Sequence, residues 1–229
     1  MLDLVEEIKF AELREKCREL KVMAPPEIMI SLKVTEKDKT IFDDIQRGHS
    51  WTRNFYNAIM FHMFQFGNTQ TQFGAGYASS KFTNGAVNGS GYYLTGGSLC
   101  GIIPAAANLD TIGIVLGTGT TAFSTEQFAL AAKIAQGVGA GQFTYLAQSV
   151  ATAAYNSGTK VWTVTHSRVF NNNSGGLIVV REVALFSAVG SSIAGPMYER
   201  SVLSPEVSVP DGAQLTVVYN ISMSFAAID

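Results

Sequence analysis

The segment QLTVVYNISMSF, Gln214 to Phe225, is the clearest indication of the fold in this chain of 229 residues. Every second side chain in it is hydrophobic, at Leu215, Val217, Tyr219, Ile221, Met223 and Phe225. The positions between them include Thr216, Asn220, Ser222 and Ser224. A period of two places the two sets on opposite faces of a strand, so the segment predicts a β-strand with one buried face.

Further β-rich runs precede this segment from residue 112 onward. They are IGIVLG, GQFTYLAQSVATAAY, KVWTVTHSRVF, GLIVVREVALFSAV and MYERSVL. Turn-forming residues separate them at Asn156–Gly158, at the NNNSGG tract of residues 171–176 and at Pro210–Gly212. Several strands joined by short turns predict a mainly β fold, an antiparallel, jelly-roll-like β-sandwich.

The NNNSGG tract lies between two apolar runs, in RVFNNNSGGLIVVREVALFSA, residues 168–188. Asn and Gly adopt positive φ at little cost, which suits the tight connection of a hairpin. We therefore expect the two flanking strands to pair with each other through this turn.

The first part of the chain has a different character. Residues 1–23 are good helix formers without Gly or Pro, and the APP sequence at 24–26 ends the helix. EIMISLKV and TIFDDIQ, joined by the polar EKDK, predict a hairpin with Ile28, Ile30, Leu32 and Val34 on one face. A mostly buried helix is expected near 50–66, with Ser50 as its N-cap. We thus divide the chain into a helical arm, 1–24, and a sandwich domain, 25–229.

Phe10, Leu13, Cys17 and Leu20 recur at three- and four-residue spacing along the first helix. They form one apolar stripe that is too short for a stable coiled coil. Either the stripe packs on its own domain, or it is an arm that docks on a second subunit. Both alternatives remain open from the sequence.

A Gly- and Tyr-rich loop region, residues 67–101, contains nine of the 22 glycines and a single charge, Lys81. Rigid, amphipathic rings among glycines can form a contact surface, and Tyr77, Tyr92 and Tyr93 are the candidates. The other interpretations are an irregular loop with two short strands and a ligand pocket.

Charge is distributed unevenly along the chain. Residues 1–60 hold 10 of the 16 Lys and Arg residues and 11 of the 18 Asp and Glu residues, and the net charge is −2. The near-neutral balance gives no indication of nucleic-acid binding, and no apolar run approaches the ~20 residues of a membrane span. A sandwich surface so poor in charge suits a chain that neighbouring molecules cover.

Residues with catalytic or ligand-binding chemistry are few and scattered. Gly117, Gly119 and Ala122 fit a dinucleotide-binding pattern, but no βαβ unit follows, so a plain turn is expected. His62 is expected as a packed or partly exposed side chain and His166 as a partly exposed strand residue, and no metal site or cofactor is predicted. Glu182 and Glu199 could in principle form a glycosidase pair, although strand carboxylates are usually solvated. We do not expect an enzyme.

Three segments resemble structural proteins of tailed-bacteriophage particles. They are IVLGTGTTAFSTEQFAL, SRVFNNNSGGLIVVREVALFSA and ERSVLSPEVSVPDGAQLTVVYNISM, which together span about half of the chain. The resemblance lies in a Gly-Thr-Gly-Thr-Thr turn, an Asn-rich hairpin before a V-x-E-V-x-L-F strand, and a V-x-V-P-D-G terminal hairpin. It implies a non-enzymatic β-sandwich component of a head, neck or tail, and it transfers no catalytic residues.

From the resemblance and the surface composition we predict a virion structural protein, assembled in the host cytoplasm. Its expected partners are major capsid or tail proteins and copies of itself, in a homo-oligomer such as a trimer. The predicted partner contacts are Phe10, Leu13, Cys17, Leu20, Tyr77, Tyr92 and Tyr93. The alternative is a receptor- or carbohydrate-binding sandwich module that stacks sugars on aromatic side chains such as Trp162.

Overall fold

The computed structural model describes residues 4–48, 51–64, 80–83, 85, 87–88, 102, 104–188 and 195–225. In this part of the chain the helices are α1 (Leu4–Glu19) and α2 (Arg53–Phe64). The strands are β1 (Glu27–Glu36), β2 (Lys39–Arg47), β3 (Ser80–Lys81), β4 (Val87–Asn88), β5 (Gly113–Gly117), β6 (Thr144–Tyr145), β7 (Thr152–Asn156), β8 (Val161–Asn171), β9 (Ile178–Phe186), β10 (Met197–Val209) and β11 (Gln214–Ser224).

Two antiparallel sheets pack against each other. The larger sheet has the order β2-β1-β11-β8, and both β6 and β7 lie along the far side of β8. The smaller sheet has the order β10-β9-β5, while β3 and β4 form a separate two-stranded pair. The predicted mainly β sandwich, with an N-terminal helix and one internal helix, is confirmed.

The alternating positions of the larger sheet supply its contribution to the core. Ile30, Leu32 and Val34 of β1 are fully buried, and so are Leu215, Val217 and Tyr219 of β11, which pairs with β1. The core-facing pattern predicted for both strands is therefore correct. The β1–β2 hairpin is also confirmed, and its turn residues Lys37 and Asp38 both have positive φ, as a two-residue type I′ turn requires.

The NNNSGG tract does not form a hairpin, so this prediction is wrong. It leads from β8 in the larger sheet to β9 in the smaller one, and the Pro210–Gly212 turn returns from β10 to β11. Fully buried Asn172 links the two crossings, because its Nδ2 donates to the carbonyls of Gly176 and Val209, both at 2.8 Å. The tract connects one sheet to the other. The segment predicted as the terminal hairpin, at Pro210–Gly212, likewise connects the two sheets.

The outer surface of the smaller sheet is partly covered by α2. Thr52 precedes this helix, its hydroxyl donates to Met197 O at 2.6 Å, and Phe55 stacks on Trp51 with ring centroids 3.8 Å apart. Phe55 also meets the ring of Tyr198 edge-on. The predicted second helix thus exists, but it begins at Arg53, and the proposed N-cap Ser50 lies outside the described residues.

Candidate functional site

Helix α1 is held on the larger sheet of its own chain by ion pairs. The guanidinium of Arg47, in β2, contacts the carboxylate of Glu7 at 2.6 Å and that of Glu27 at 2.7 Å. Arg14 donates to the same Glu27 at 2.8 Å. These contacts connect two turns of the helix to the first two strands, so α1 packs in cis.

Arg47 is the centre of this contact. Its side chain is only 3% exposed, and its guanidinium lies 3.9 Å from the ring centroid of Phe10. Burial opposes the charge, but the hydrogen bonds and negative charges of Glu7 and Glu27 outweigh it and raise the pKa of Arg47. The guanidinium is therefore a permanent cation that needs its two carboxylates.

The predicted stripe of α1 is divided by this arrangement. Cys17 is buried and Phe10 is half-buried against Arg47, while Leu13 and Leu20 are exposed. The residues that hold the helix on the sheet are Glu7, Phe10, Arg14 and Cys17, which also follow helical spacing. The pattern of apolar residues alone could not identify this docking side, because two of its four residues, Glu7 and Arg14, make ionic contacts.

The outward side of α1 is apolar at its N-terminal end and charged further along, where Glu12, Glu15 and Glu19 are exposed. Leu4, Val5 and Ile8 are 73%, 60% and 51% exposed. Ile45, close in sequence to the Arg47 that anchors α1, and Ile41 are also exposed on β2. We refer to Leu4, Val5, Ile8, Ile41 and Ile45 as the outward apolar set. Nine of the 15 exposed large hydrophobic side chains of the described residues lie between residues 4 and 45.

The other predicted partner contacts, Tyr77, Tyr92 and Tyr93, lie outside the described residues, as does the side chain of His62. Their role stays a prediction. Trp162, proposed as a stacking platform, is 37% exposed and its ring centroid lies 6.1 Å from that of Tyr155, which is half exposed. Trp162 and Tyr155 are thus partly available at the surface.

Glu182 is not a solvated strand carboxylate. It is fully buried, it accepts hydrogen bonds from the backbone N–H groups of Gly119, Ala131 and Ala132, and Arg200 Nε donates to it at 2.6 Å. A side chain at Gly117 or Gly119 would collide with this carboxylate. The glycines of the apparent dinucleotide pattern are therefore needed for the close approach of Glu182.

Glu199 is buried in a different environment. Its carboxyl accepts hydrogen bonds from the hydroxyls of Ser201 and of Tyr219, the latter at 2.7 Å. Burial raises its pKa to about 7, against the smaller opposing effects of these hydrogen bonds and of the Arg200 charge. Since Glu199 pairs with Leu185 and Glu182 pairs with Val202, the two carboxyls lie on opposite faces of the smaller sheet. They do not form a glycosidase pair.

Arg168, like Arg200, is a fully buried cation of the sandwich. Its guanidinium donates five hydrogen bonds, at 2.6–3.2 Å, to backbone carbonyls. The acceptors are Ala106, Leu109, Ile112, Ile114 and Leu146. Burial lowers the pKa of Arg168 to about 10. This arginine fixes the segment that leads into β5 onto the larger sheet, so its role is structural.

His166 lies on the same strand and is buried, which corrects the expectation of a partly exposed residue. Its Nδ1 lies 3.5 Å from Nε2 of Gln148, and burial lowers its pKa. Within the described residues, no group of three His, Cys, Asp or Glu side chains has the arrangement of a metal site. Neither described helix is long and apolar enough to span a membrane.

Protein-family models, curated proteins and solved structures were each compared with this chain, and none of them matches it. The candidate site is therefore defined by geometry alone. It is the outward apolar set, three residues of α1 and two of β2, the strand whose Arg47 holds the helix.

Proposed function

We propose that this protein is a non-enzymatic structural component of a tailed-bacteriophage particle. It binds neighbouring head or tail proteins through the outward apolar set, and copies of itself through the edges of its sandwich. The phage assignment comes from the sequence resemblance of the strands between residues 112 and 224. The binding mode comes from the geometry of α1.

The observation that carries the proposal is the apolar N-terminal end of α1, which is exposed while Glu7 and Arg14 hold the helix in cis. Leu4 and Ile8 are four residues apart, so they lie one helical turn apart on the same side. Large exposed apolar residues that cluster in one region mark interaction surfaces in soluble proteins. The ionic contact of α1 with its own sheet would keep this surface presented to a neighbour.

The charge distribution agrees with an assembly role. Four of the 13 charged side chains after residue 60 are Arg168, Glu182, Glu199 and Arg200, and all four are buried. The rest of this part of the chain is rich in Ser, Thr, Asn, Ala and Gly. Such a surface can be buried against neighbours at little desolvation cost, because few charges must leave water.

The test is incorporation into particles that lack their own copy of the gene. Cells infected with such a phage supply the wild-type chain, the Leu4→Glu/Ile8→Glu double variant, or Val138→Glu from a plasmid. Val138 is 65% exposed and distant from α1 in sequence, so it is the matched control. We expect gradient-purified particles to contain the wild type and the control. The double variant should be absent from them. Equal incorporation of all three would refute the binding mode, and absence of the wild-type chain would refute the function.

A receptor- or carbohydrate-binding module is the second candidate, favoured by the partly exposed rings of Tyr155 and Trp162. Aromatic faces bind the apolar faces of sugar rings, and the neighbouring turn at residues 156–160 is polar. A glycan array would show this activity, and Trp162→Ala should abolish any binding detected. An array without binding would remove this candidate.

A further inference from the structure

A β-sandwich leaves strand edges whose backbone groups can pair with another chain, and proteins usually cover or charge such edges. The smaller sheet has both of its edges covered. Along β5, Thr118 N donates to Ala132 O at 2.8 Å and Ile134 N donates to Leu116 O at 2.9 Å. Along β10, Thr52 N donates to Tyr198 O at 2.8 Å and the side chain of Gln46 binds the backbone of Ser204 and Pro205.

One edge of the larger sheet is protected by charge. Strand β2 carries Lys39, Asp43 and Asp44 within nine residues. Charged side chains on an edge strand disfavour pairing with a second strand, because they must lose their hydration. This edge also meets β10 through Gln46, so it does not offer a free template.

The other edge of the larger sheet is protected only in part. At β6, Tyr145 N donates to the side chain of Gln136 at 2.7 Å. Strand β7, Thr152–Asn156, has the sequence TAAYN, and all five residues are exposed. Among the described residues, β7 pairs only with β8. It contains neither charge nor Pro, and Ala153 and Ala154 are small enough for a close approach.

From this contrast we infer that β7 is the edge at which two copies of this chain pair, antiparallel and about a two-fold axis near Ala154. The inference rests on the proposed self-association and names its surface. We infer a second copy as the partner because β7 is uncharged and pairs best with another uncharged strand edge. A two-fold axis brings the β7 strands of two copies together. The larger sheets of the two copies then join into one continuous sheet.

The geometry of the pair follows from antiparallel register. With the axis at Ala154, Thr152 lies opposite Asn156 of the partner subunit, and Ala153 lies opposite the partner subunit's Tyr155. The half-exposed ring of Tyr155 then covers a small side chain instead of meeting another ring. Val150, 77% exposed just before β7, is covered by the hairpin that follows the partner's β7. Two-fold closure gives a dimer, whereas a trimer needs a different, heterologous contact.

Charge substitutions at the axis test this inference, because a residue on a two-fold axis meets its own copy. Ala154→Lys places two cations side by side, and Ala154→Asp places two anions there. We measure the solution mass of the purified chain by light scattering, from low micromolar to millimolar concentration. The wild type should reach twice the chain mass of 24.5 kDa. Each variant should lose the dimer, and an equimolar mixture of the two should regain it.

Thr40→Lys on the charged β2 edge is the matched control, and it should leave the dimer intact. Circular dichroism and thermal melting of every variant establish that the fold is retained. A wild type that stays monomeric at millimolar concentration overturns the inference, and so does a dimer that persists in Ala154→Lys. These light-scattering results do not bear on whether the α1 double variant is incorporated into particles. Failure of the edge contact can therefore be distinguished from failure of the proposed function.

Discussion

Arg168 and Arg47 are both buried, but Arg168 binds neutral acceptors and Arg47 binds charged ones. Arg168 donates to five neutral backbone carbonyls inside the sandwich, and burial lowers its pKa. Arg47 binds the carboxylates of Glu7 and Glu27, which raise its pKa. The first holds a loop that is part of the core. The second holds a helix that remains largely on the surface.

The difference indicates how firmly each segment is attached. Carbonyl acceptors in the interior have no water to replace a lost donor, so loss of the Arg168 contact should lower the stability of the whole sandwich. The carboxylates around Arg47 are partly exposed, at 29% for Glu7 and 16% for Glu27, so water and salt compete with this contact. We therefore expect α1 to open independently of the sandwich.

The largest effect is expected for Arg168→Met, which breaks the interior anchor. The substitution leaves five carbonyls without their donor and should lower the free energy of unfolding by about 4 kcal/mol, with the melting temperature about 10 °C lower. Denaturant unfolding measures it. The control is Arg181→Met, whose exposed ion pair with Glu206 should contribute about 1 kcal/mol or less. Equal losses in the two variants would contradict the assigned role of Arg168.

Glu199 is a buried acid, and its hydrogen-bond donors are hydroxyls and not a guanidinium. Its pKa of about 7 in the folded state exceeds the unfolded value, so the folded chain binds this proton more tightly. The contribution of Glu199 to stability is full below about pH 4 and is lost as the pH rises through about 7. The whole change is on the order of 3 kcal/mol.

The measurement is urea unfolding between pH 4 and pH 8 for the wild type and for Glu199→Gln. The difference between the two proteins should change over this range, whereas Glu206→Gln, at an exposed position, should run parallel to the wild type. A wild type and a Glu199→Gln variant with the same pH profile would mean that Glu199 does not carry a raised pKa.

Arg47→Met breaks the exterior anchor, and its effect should be local. Loss of the guanidinium leaves Glu7 and Glu27 without their partner and should weaken α1 docking by about 1–3 kcal/mol, since both carboxylates are partly solvated. Amide hydrogen exchange of residues 4–19 should accelerate, while exchange in β8 and β11 stays slow. High salt should produce the same pattern in the wild type. Acceleration throughout the sandwich would show that α1 is part of the core.

The smallest effect is expected at the β1–β2 turn, at the end of β2 far from Arg47. Lys37 and Asp38 adopt positive φ, where Asn and Gly are favoured. Lys37→Asn/Asp38→Gly should therefore stabilise the chain by about 0.5–1 kcal/mol, measured by denaturant unfolding. Ala substitutions at the same two positions should destabilise it, and the opposite order would contradict the type I′ turn.

The strands and their buried faces could be predicted because alternation is a local signal. Ile30 and Val217 follow it, and both are buried as expected. The partner of a strand is not local, so the sequence predicts a hairpin at NNNSGG, although its Asn and Gly residues serve equally well where the chain crosses between sheets. The missing information is the pairing of strands that are far apart in sequence, β9 with β5 and β8 with β11.

The site could be predicted only in part for the same reason. A charged residue in a strand is solvated by default, and burial of Glu182 depends on backbone donors supplied from residues 119–132. Gly117 and Gly119 were the available signal, since they leave room for a carboxylate. The docking side of α1 was missed at Glu7 and Arg14 because their partners, Arg47 and Glu27, belong to strands that sequence periodicity does not connect to the helix.

The most direct test of the proposed binding mode compares the free chain with assembled particles by hydroxyl-radical footprinting. Leu4, Val5 and Ile8 should be oxidised in the free chain and protected in particles, while Phe10, which faces Arg47, should change little. Val138, exposed and distant from α1 in sequence, should react equally in both states. Equal oxidation of Leu4, Val5 and Ile8 before and after assembly would contradict the account, because the outward apolar set would then remain uncovered in the particle.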